Sequence, residues 1–157
     1  MTVSTEAYMA QMINETLALG DKTLSSDAHF VIDGFENLTV LAKQFPWPVL
    51  TPEGEIETPA PMGIKIGQPQ QINAFQRSPI AFMETRAGHI EKMIREINQN
   101  GGRFNARIYE GTRENPLRTA RIFNCWVQME PIDRDIENRA QIVLWSGTLF
   151  YHYTGEA

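Results

Sequence analysis

Two long apolar stretches in the last third of the chain constrain the fold more than any other feature. They read LRTARIFNCWVQME (residues 117–130) and AQIVLWSGTLFYHYTG (residues 140–155), and both exceed the usual strand length of about six residues. The polar, turn-rich link between them predicts one long antiparallel hairpin. Both stretches are apolar on both faces for part of their length, which is typical of strands inside a sandwich or beneath a helix.

Strict alternation predicts which side chains of the first stretch share a face: Phe123, Cys125, Val127 and Met129 on one side, and Ile122 and Trp126 on the other. The second stretch divides in the same way: Val143, Trp145, Leu149, Tyr151 and Tyr153 against Ile142, Leu144 and Phe150. A single mid-chain helix can cover only one of these faces. The remaining apolar surface needs a second sheet or other copies of the protein.

That helix lies in GHIEKMIREINQNGG (residues 88–102), and Gly101-Gly102 predicts its end. Its apolar residues follow the helical spacing i, i+3, i+4 and i+7: Ile90, Met93, Ile94 and Ile97. The next segment, RFNARIYEG, predicts a strand with alternate residues turned inward: Phe104, Ala106 and Ile108.

Four further strands are predicted upstream of the helix. The segment HFVIDGFENLTVLAKQF (residues 29–45) predicts two short strands around a tight corner at Asp33-Gly34, with Leu38, Val40 and Ala42 on one face of the second. The alternation in MGIKIG (residues 62–67) predicts a half-buried strand, and residues 80–86 predict another.

The N-terminal segment 4–19 predicts a helix that ends at Gly20. Its apolar stripe is narrow: Tyr8, Met12, Ile13 and Leu17. A helix of the chain's own core and an arm that docks on a partner both fit this pattern.

Residues 45–61, FPWPVLTPEGEIETPAP, contain five prolines, which exclude a central strand or a helix. A long loop of this kind inside a compact domain usually has a function. This loop is also unusually apolar for a solvated one: Phe45, Trp47, Val49, Leu50 and Ile56. It either folds back over its own domain or packs against another subunit.

Length and composition narrow the classes of protein. A chain of 157 residues predicts one domain, spanning residues 1–157. A net charge of −5 argues against a protein that grips nucleic-acid phosphates. Cys125 is the only cysteine and cannot form an intrachain disulfide. We find neither a signal-peptide pattern nor an apolar run of about 20 residues, so we expect a soluble protein made in the cytoplasm, without a membrane partner.

The residues offer little catalytic equipment. The three histidines, His29, His89 and His152, lie in no metal-binding motif, and Cys125 lacks a local nucleophile signature. Asp133, Asp135 and Glu137 alternate, but the calcium-loop pattern is absent and arginines interleave, so a solvated hairpin tip is the better interpretation. We therefore predict no enzyme, no cofactor and no metal.

The order of these elements resembles the tail tube proteins of contractile-tailed phages and the tube proteins of type VI secretion and phage-tail-like bacteriocins. The resemblance lies in a set of segments from about residue 29 onward: FVIDGFENLTVLA, HIEKMIREINQN, RFNARIYEG, ARIFNCWVQME and AQIVLWSGTLFYHY. It implies a β-sandwich or barrel with one amphipathic helix and a long protruding loop.

The resemblance also implies an assembly. Such proteins form hexameric rings that stack into a hollow tube, with strands of all subunits joined in one barrel around the lumen. Residues 45–61 match the protruding loop that reaches a neighbouring subunit, and residues 2–21 would be a further contact arm. The implied partners are other copies, a contractile sheath, a baseplate and DNA that passes through the lumen, in a virion tail.

An acidic lumen wall would repel phosphates, so DNA could slide without sticking. By the sign of their charge alone, the lumen candidates are Glu130, Asp133, Asp135 and Glu137. Two other interpretations remain. A baseplate or tail-terminator protein would share the fold, and a monomeric small-molecule-binding β-barrel fits less well because of the proline-rich loop and the mid-chain helix.

Overall fold

A computed structural model describes residues 5–155 of the protein and shows a mainly β fold. In chain order the helices and strands are α1 (Glu6–Ala18), β1 (Ala28–Ile32), β2 (Ala42–Gln44), β3 (Glu55–Pro59), β4 (Lys65–Pro69), β5 (Phe75–Met83), α2 (His89–Gln99), β6 (Phe104–Gly111), β7 (Pro116–Met129) and β8 (Leu144–His152). Two 3-10 helices, Glu36–Leu41 and Pro61–Gly63, complete the described elements. The first residues of the predicted arm and helix, 2–4, lie outside the described part.

Six of the strands form one antiparallel sheet in the order β1-β6-β7-β8-β5-β2, while β3 and β4 pair separately. The predicted long hairpin is confirmed, because β7 pairs with β8 from Phe123–His152 to Met129–Gly147. The strand predicted at residues 80–86 is also present, although it begins earlier, at Phe75, and ends at Met83.

The sheet folds back on itself at β7. The first half of β7 pairs with β6, as far as Cys125, and the second half pairs with β8 from Phe123 onward. The two halves of the sheet therefore face each other, and the rings of Phe30 on β1 and Phe82 on β5 lie 6.4 Å apart. This is the predicted sandwich. In the described residues its strand order ends at β1 and β2, so the sheet is not closed into a barrel.

The predicted amphipathic helix α2 is confirmed. Ile90, Met93 and Ile97 are buried, and the backbone N–H of Gly102 donates to the Ile97 carbonyl at 2.8 Å, which ends the helix. The inward residues of β6 are confirmed as well. Together these side chains fill the space between the two halves of the sheet and form one continuous apolar core.

The start of α2 is held by Glu84, which follows β5. Its carboxylate accepts hydrogen bonds from the backbone N–H groups of Thr85, Ile90 and Glu91 and, at 2.7 Å, from the indole N–H of Trp145. Burial raises the pKa of this carboxyl, but these hydrogen bonds more than compensate, so the pKa lies below its ordinary value. Glu84 thus ties the helix start to β8.

The predicted faces of β7 are wrong upstream of Cys125, because the strand contains a bulge. Asn124 has a φ of 48°, and the pairing register shifts between Phe123 and Trp126. The extra residue reverses the alternation. As a result Ile122 joins Cys125 in the core, whereas Phe123 joins Trp126 on the outward face.

The second predicted strand of the segment 29–45 is mostly a 3-10 helix, Glu36–Leu41, and only Ala42–Gln44 is extended. Thr39 is buried and its hydroxyl donates to the Phe30 carbonyl at 3.0 Å, while Val40 is 67% exposed. The side-chain hydrogen bond favours a compact turn over a strand here.

Candidate assembly surfaces

The outward face of β5, β8 and β7 carries a cluster of rings, which we call the aromatic face: Phe75, Phe123, Trp126, Phe150 and His152. Pairing places these side chains in two rows across the strands, one of Phe75, His152 and Phe123 and one of Arg77, Phe150 and Trp126. Ring centroids lie 5.3 Å apart for Trp126 and Phe150 and 5.2 Å apart for Phe75 and His152. The first pair is stacked and the second is tilted, and both arrangements stabilise ring pairs at these distances.

The aromatic face is open to solvent, since Phe75 and Phe123 are 37% and 39% exposed. Arginines border it. The Arg77 guanidinium lies 5.9 Å from the centre of the Phe150 ring. Arg121, two residues before Phe123, is exposed and lies opposite Arg107 of β6, and within residues 5–155 its side chain forms no ion pair.

Sequence reasoning missed the aromatic face as a unit. The bulge at Asn124 brings Phe123 onto it, and a strand over residues 75–79 was not predicted. The alternating rings of Phe150 and His152 were the available signal. Alternation alone, however, did not show that the rings of three strands would align.

Residues 51–73 form a projecting two-stranded hairpin, which we call the hairpin arm. β3 pairs with β4 from Glu55–Pro69 to Pro59–Lys65, and the base is closed by the bridge between Pro52 and Ile72. The arm extends from the end of the sheet where β5 begins. Of the long excursion predicted for residues 45–61, residues 51–61 belong to the first half of this arm and residues 45–50 lead into it.

The hairpin arm has one charged and one apolar face. Glu57 and Lys65 form an ion pair with a 3.5 Å separation on the charged face. Ile56 and Ile66 lie on the other face and are exposed. The segment 62–67 is therefore a strand from Lys65, as predicted, but it is not half-buried: the two-stranded arm has no second layer of described residues to cover it.

The five predicted contact residues of the loop do not lie together. Phe45 is half-buried and stacks on Phe30 of the core, with centroids 5.7 Å apart. Trp47 and Val49 are 43% and 59% exposed, on the segment that leads into the hairpin arm. Leu50 and Ile56 are also exposed. The role of these residues in subunit contacts stays a prediction.

The four predicted lumen residues lie on the link between β7 and β8, and all are exposed: Glu130, Asp133, Asp135 and Glu137. The Asp135 carboxylate accepts a hydrogen bond from the backbone N–H of Glu137 at 3.1 Å, which is typical of a turn. The link borders an open, mainly polar depression of about 410 Å³. That the four acidic residues line a lumen stays a prediction.

The helix α1 is confirmed, and it is not part of the buried core; that it docks on a partner stays a prediction. The Thr5 hydroxyl oxygen caps the helix by accepting the backbone N–H of Tyr8 at 3.2 Å. None of its residues is buried, and only Met12 is half-buried. Met9, Ile13 and Leu17 are all at least half exposed.

Among residues 5–155, the side chains that could act in catalysis or bind a metal ion are not grouped into one site. Burial raises the pKa of the Cys125 thiol to about 12. Within residues 5–155 we find no group of three or more His, Cys, Asp or Glu residues placed to hold a metal ion. The helices in this range are too short or too polar to cross a membrane.

Comparison with known proteins gave matches only by structure: no protein-family model matches the sequence, and no curated protein does. A chain of the PVC sheath–tube complex, from an extracellular contractile injection system in its extended state, is 14% identical over 87% of this chain and 92% of its own, with a TM-score of 0.56. A chain of the anti-feeding prophage baseplate, solved with 6-fold symmetry, is 13% identical over 85% of this chain and 93% of its own, with a TM-score of 0.60.

A third similar structure is a chain of the anti-feeding prophage tube-terminating cap, which is 11% identical over 85% of this chain and 89% of its own, with a TM-score of 0.55. At such low identity the likeness concerns the fold. The chain therefore has a tail-tube-like fold of the kind found in contractile systems.

Proposed function

We propose that this protein is a structural subunit of the inner tube of a contractile tail and that it forms stacked hexameric rings. The observation that carries the proposal is the structural likeness to components of two contractile systems over 85–87% of the chain. The 6-fold symmetry of one of those assemblies supports a ring of six copies.

The unpaired strand edges of the sheet support the proposal that several copies form one barrel together. Within residues 5–155, β7 has no partner on the β6 side beyond Cys125, because β6 begins at Phe104 opposite Cys125. At the far side of the sheet, β5 is the one strand of the described part of the chain that pairs with β2. If β7 of one copy pairs with β2 of the next, six sheets close into one ring and these two edges are no longer free, whereas the far edge of β1 takes no part in this pairing. Such a head-to-tail contact closes into a ring when the rotation per copy is 60° for six copies.

The exposed apolar surfaces support contacts beyond this edge. The aromatic face, the apolar face of the hairpin arm and the stripe of α1 each expose large apolar side chains, and grouped exposed apolar side chains are typical of protein–protein contacts. In the proposed tube, Trp47, Val49, Leu50 and Ile56 contact a neighbouring subunit or the next ring, and Phe45 anchors that segment to its own core.

The net negative charge of the protein is compatible with a tube through which DNA passes. Each copy carries a net charge of −5, so six copies in a ring repel phosphates. In our proposal Glu130, Asp133, Asp135 and Glu137 contribute to the lumen wall, the sheath and the baseplate are the partners, and the assembly lies in a virion tail. The role is structural, without catalysis.

The second candidate is a tube-terminating cap or a baseplate ring. It is favoured by the likeness to the anti-feeding prophage cap and baseplate. The two candidates differ in polymerisation: a tube subunit stacks into open-ended tubes, whereas a cap or baseplate subunit stops at one ring.

Size-exclusion chromatography with light scattering, followed by negative-stain electron microscopy, tests the proposal. We expect rings with a central hole and, at high protein concentration, stacked tubes. Single rings that never stack would favour the cap or baseplate role. A stable monomer of 17.9 kDa at every concentration would contradict both candidates.

A further inference from the structure

We infer that the guanidinium group of Arg103 enters a pocket of the next copy in the ring, where it pairs with the carboxylate of Glu110. The inference rests on the proposed ring and names one residue pair of its contact. The pocket takes an organic cation, and a second copy of the chain supplies it.

The pocket lies at the open side of the sandwich, between the start of β1 and the segment that follows β2. We call it the Glu110 pocket. It has a volume of about 360 Å³ and opens to solvent, so a side chain of another copy can enter. Its lining includes two acidic residues, two aromatic residues and one arginine: Asp27, Glu110, Phe45, Trp47 and Arg118.

Glu110 is only 8% exposed, although it is charged. It lies on the face of β6 that also carries the core residues Ala106 and Ile108. Within residues 5–155 its one ion pair is with the Arg118 Nε atom, 3.6 Å away, and the Arg118 side chain is itself 72% exposed. That separation is longer than a hydrogen bond, whereas a carboxylate this buried is normally paired at close range. In a single copy Glu110 therefore has only a distant counter-ion.

The other walls of the pocket favour a guanidinium group. The Trp47 indole is exposed, and an aromatic face attracts a cation, more often arginine than lysine. Asp27 adds a second carboxylate, which is exposed and forms no ion pair among residues 5–155. A planar guanidinium can donate two hydrogen bonds to a carboxylate and also stack on a ring. The pocket therefore fits an arginine better than a lysine.

Strand direction decides which part of a neighbouring copy meets this pocket. Neighbouring strands in the order β7-β8-β5-β2 are all antiparallel, so β7 and β2 run in opposite directions. When β2 of the next copy pairs with the free edge of β7, the chain that continues from that β2 into residues 45–47 runs toward Cys125 of the first copy. From Cys125 onward β6 occupies the same edge of β7, with Phe104 opposite Cys125. In any register of the two edges, residues 45–47 therefore end against the start of β6.

Arg103 lies at that meeting point. It directly precedes Phe104, is exposed and forms no ion pair within residues 5–155. The sandwich is closed on this side by the bend of β7 and open on the other side, between β1 and β2, where the Glu110 pocket lies. In a head-to-tail ring the closed side of one copy faces the open side of the next. The contact therefore brings the guanidinium of one copy to the carboxylate of the other.

Lys22 of the same chain is the rival occupant. It directly precedes residues 23–25, which line the pocket. It is exposed, however, and forms no ion pair within residues 5–155. A second copy's arginine is therefore the better occupant.

A double-mutant cycle on assembly tests the pair. Arg103→Gln and Glu110→Gln should each raise the protein concentration at half-assembly about tenfold, measured by sedimentation velocity, because each leaves the other charge unpaired in the contact. The double variant should assemble no worse than either single variant. Arg86→Gln, at an exposed arginine before α2, is the matched control and should leave assembly unchanged. If thermal unfolding shows that Glu110→Gln does not fold, Asp27→Asn takes its place in the cycle.

Cross-linking between copies tests the geometry. A chain with Arg103→Cys is mixed with a chain carrying Ser25→Cys, which lies in the lining of the pocket, and a short bismaleimide is added. We expect linked dimers from this mixture and few from the control mixture of Arg86→Cys with Ser25→Cys. The native Cys125 is buried and should not compete.

The outcomes separate this contact from the proposed function. Rings that form as readily with Arg103→Gln as with the wild type, additive losses in the double variant, or no link to Ser25→Cys would each overturn the contact and leave the proposed function intact. Loss of assembly with Lys22→Gln but not with Arg103→Gln would show that the chain fills its own pocket, which also overturns the inference. A wild-type monomer at all concentrations would overturn both proposals.

Discussion

At the residue scale, the sequence did not decide whether the Cys125 thiol is reactive. Its burial in the core predicts that it is not. The thiol is fully buried, and burial raises its pKa to about 12, helped by the nearby charge of Asp33. Because the thiolate is the nucleophile, we expect no reaction with iodoacetamide at pH 8 in the folded protein and rapid reaction in denaturant. An exposed control, Asn138→Cys in the Cys125→Ala background, should react without denaturant. Rapid modification of the native thiol would contradict the burial.

Glu84 makes stability depend on pH in the acidic range. Its pKa in the folded protein lies below the ordinary value of 4.5, so its contribution is complete above about pH 5 and is lost as the pH falls through the folded pKa. Glu84→Gln should lower the midpoint of thermal unfolding at pH 7, through a loss of about 1–2 kcal/mol. The difference from the wild type should shrink by pH 3.

The control for this change is Glu96→Gln on the exposed side of α2, where no hydrogen bond to a backbone N–H exists among the described contacts. Its effect should be small at both pH values. An effect of Glu84→Gln that is equal at pH 7 and pH 3 would show that geometry, rather than charge, holds the helix start.

At the scale of elements, the β7–β8 pair depends on a single glycine. A Cβ atom at Gly147 would collide with the Gln128 carbonyl oxygen and lie 2.8 Å from the Cα atom of Met129. Gly147→Ala must therefore push the two strands apart, and we expect a loss of about 2–4 kcal/mol in the free energy of unfolding, measured by urea denaturation. Gly67→Ala, in the hairpin arm, is the matched strand control.

A Cβ atom at Gly67 meets nothing within 4 Å, so Gly67→Ala should change the stability by less than about 1 kcal/mol. If the two variants were equally stable, the close approach of β7 and β8 would not be a constraint on this fold.

At the scale of the whole molecule, neighbouring side chains of one short segment are expected to affect different processes, one the folding of the chain and the others its assembly. Phe45 stacks on the core, whereas Trp47 is exposed two residues later. Phe45→Ala should lower the free energy of unfolding by about 3 kcal/mol. Trp47→Ala together with Val49→Ala should leave the unfolding midpoint nearly unchanged and shift assembly to higher protein concentration, measured by sedimentation velocity. Loss of folding in the Trp47 variant would place that side chain in the chain's own core.

The sequence by itself determined the elements whose pattern is local and uninterrupted. The spacing of Ile90, Met93 and Ile97 predicted α2, the alternation of β6 predicted its buried face, and the polar link predicted the β7–β8 hairpin, because side-chain period and turn chemistry act over a few residues. The prolines of residues 45–61 correctly excluded a helix and a central strand there, but they did not exclude the two-stranded hairpin in which β3 lies.

Only the tertiary structure determined which side chains lie together on each surface. A one-residue bulge at Asn124 reversed the face of Phe123, and a hydrogen bond from Thr39 to the Phe30 carbonyl replaced a predicted strand by a 3-10 helix. The aromatic face exists because three strands, distant in sequence, align their outward side chains. Alternation in one strand cannot report its register against another, since register depends on contacts between distant segments.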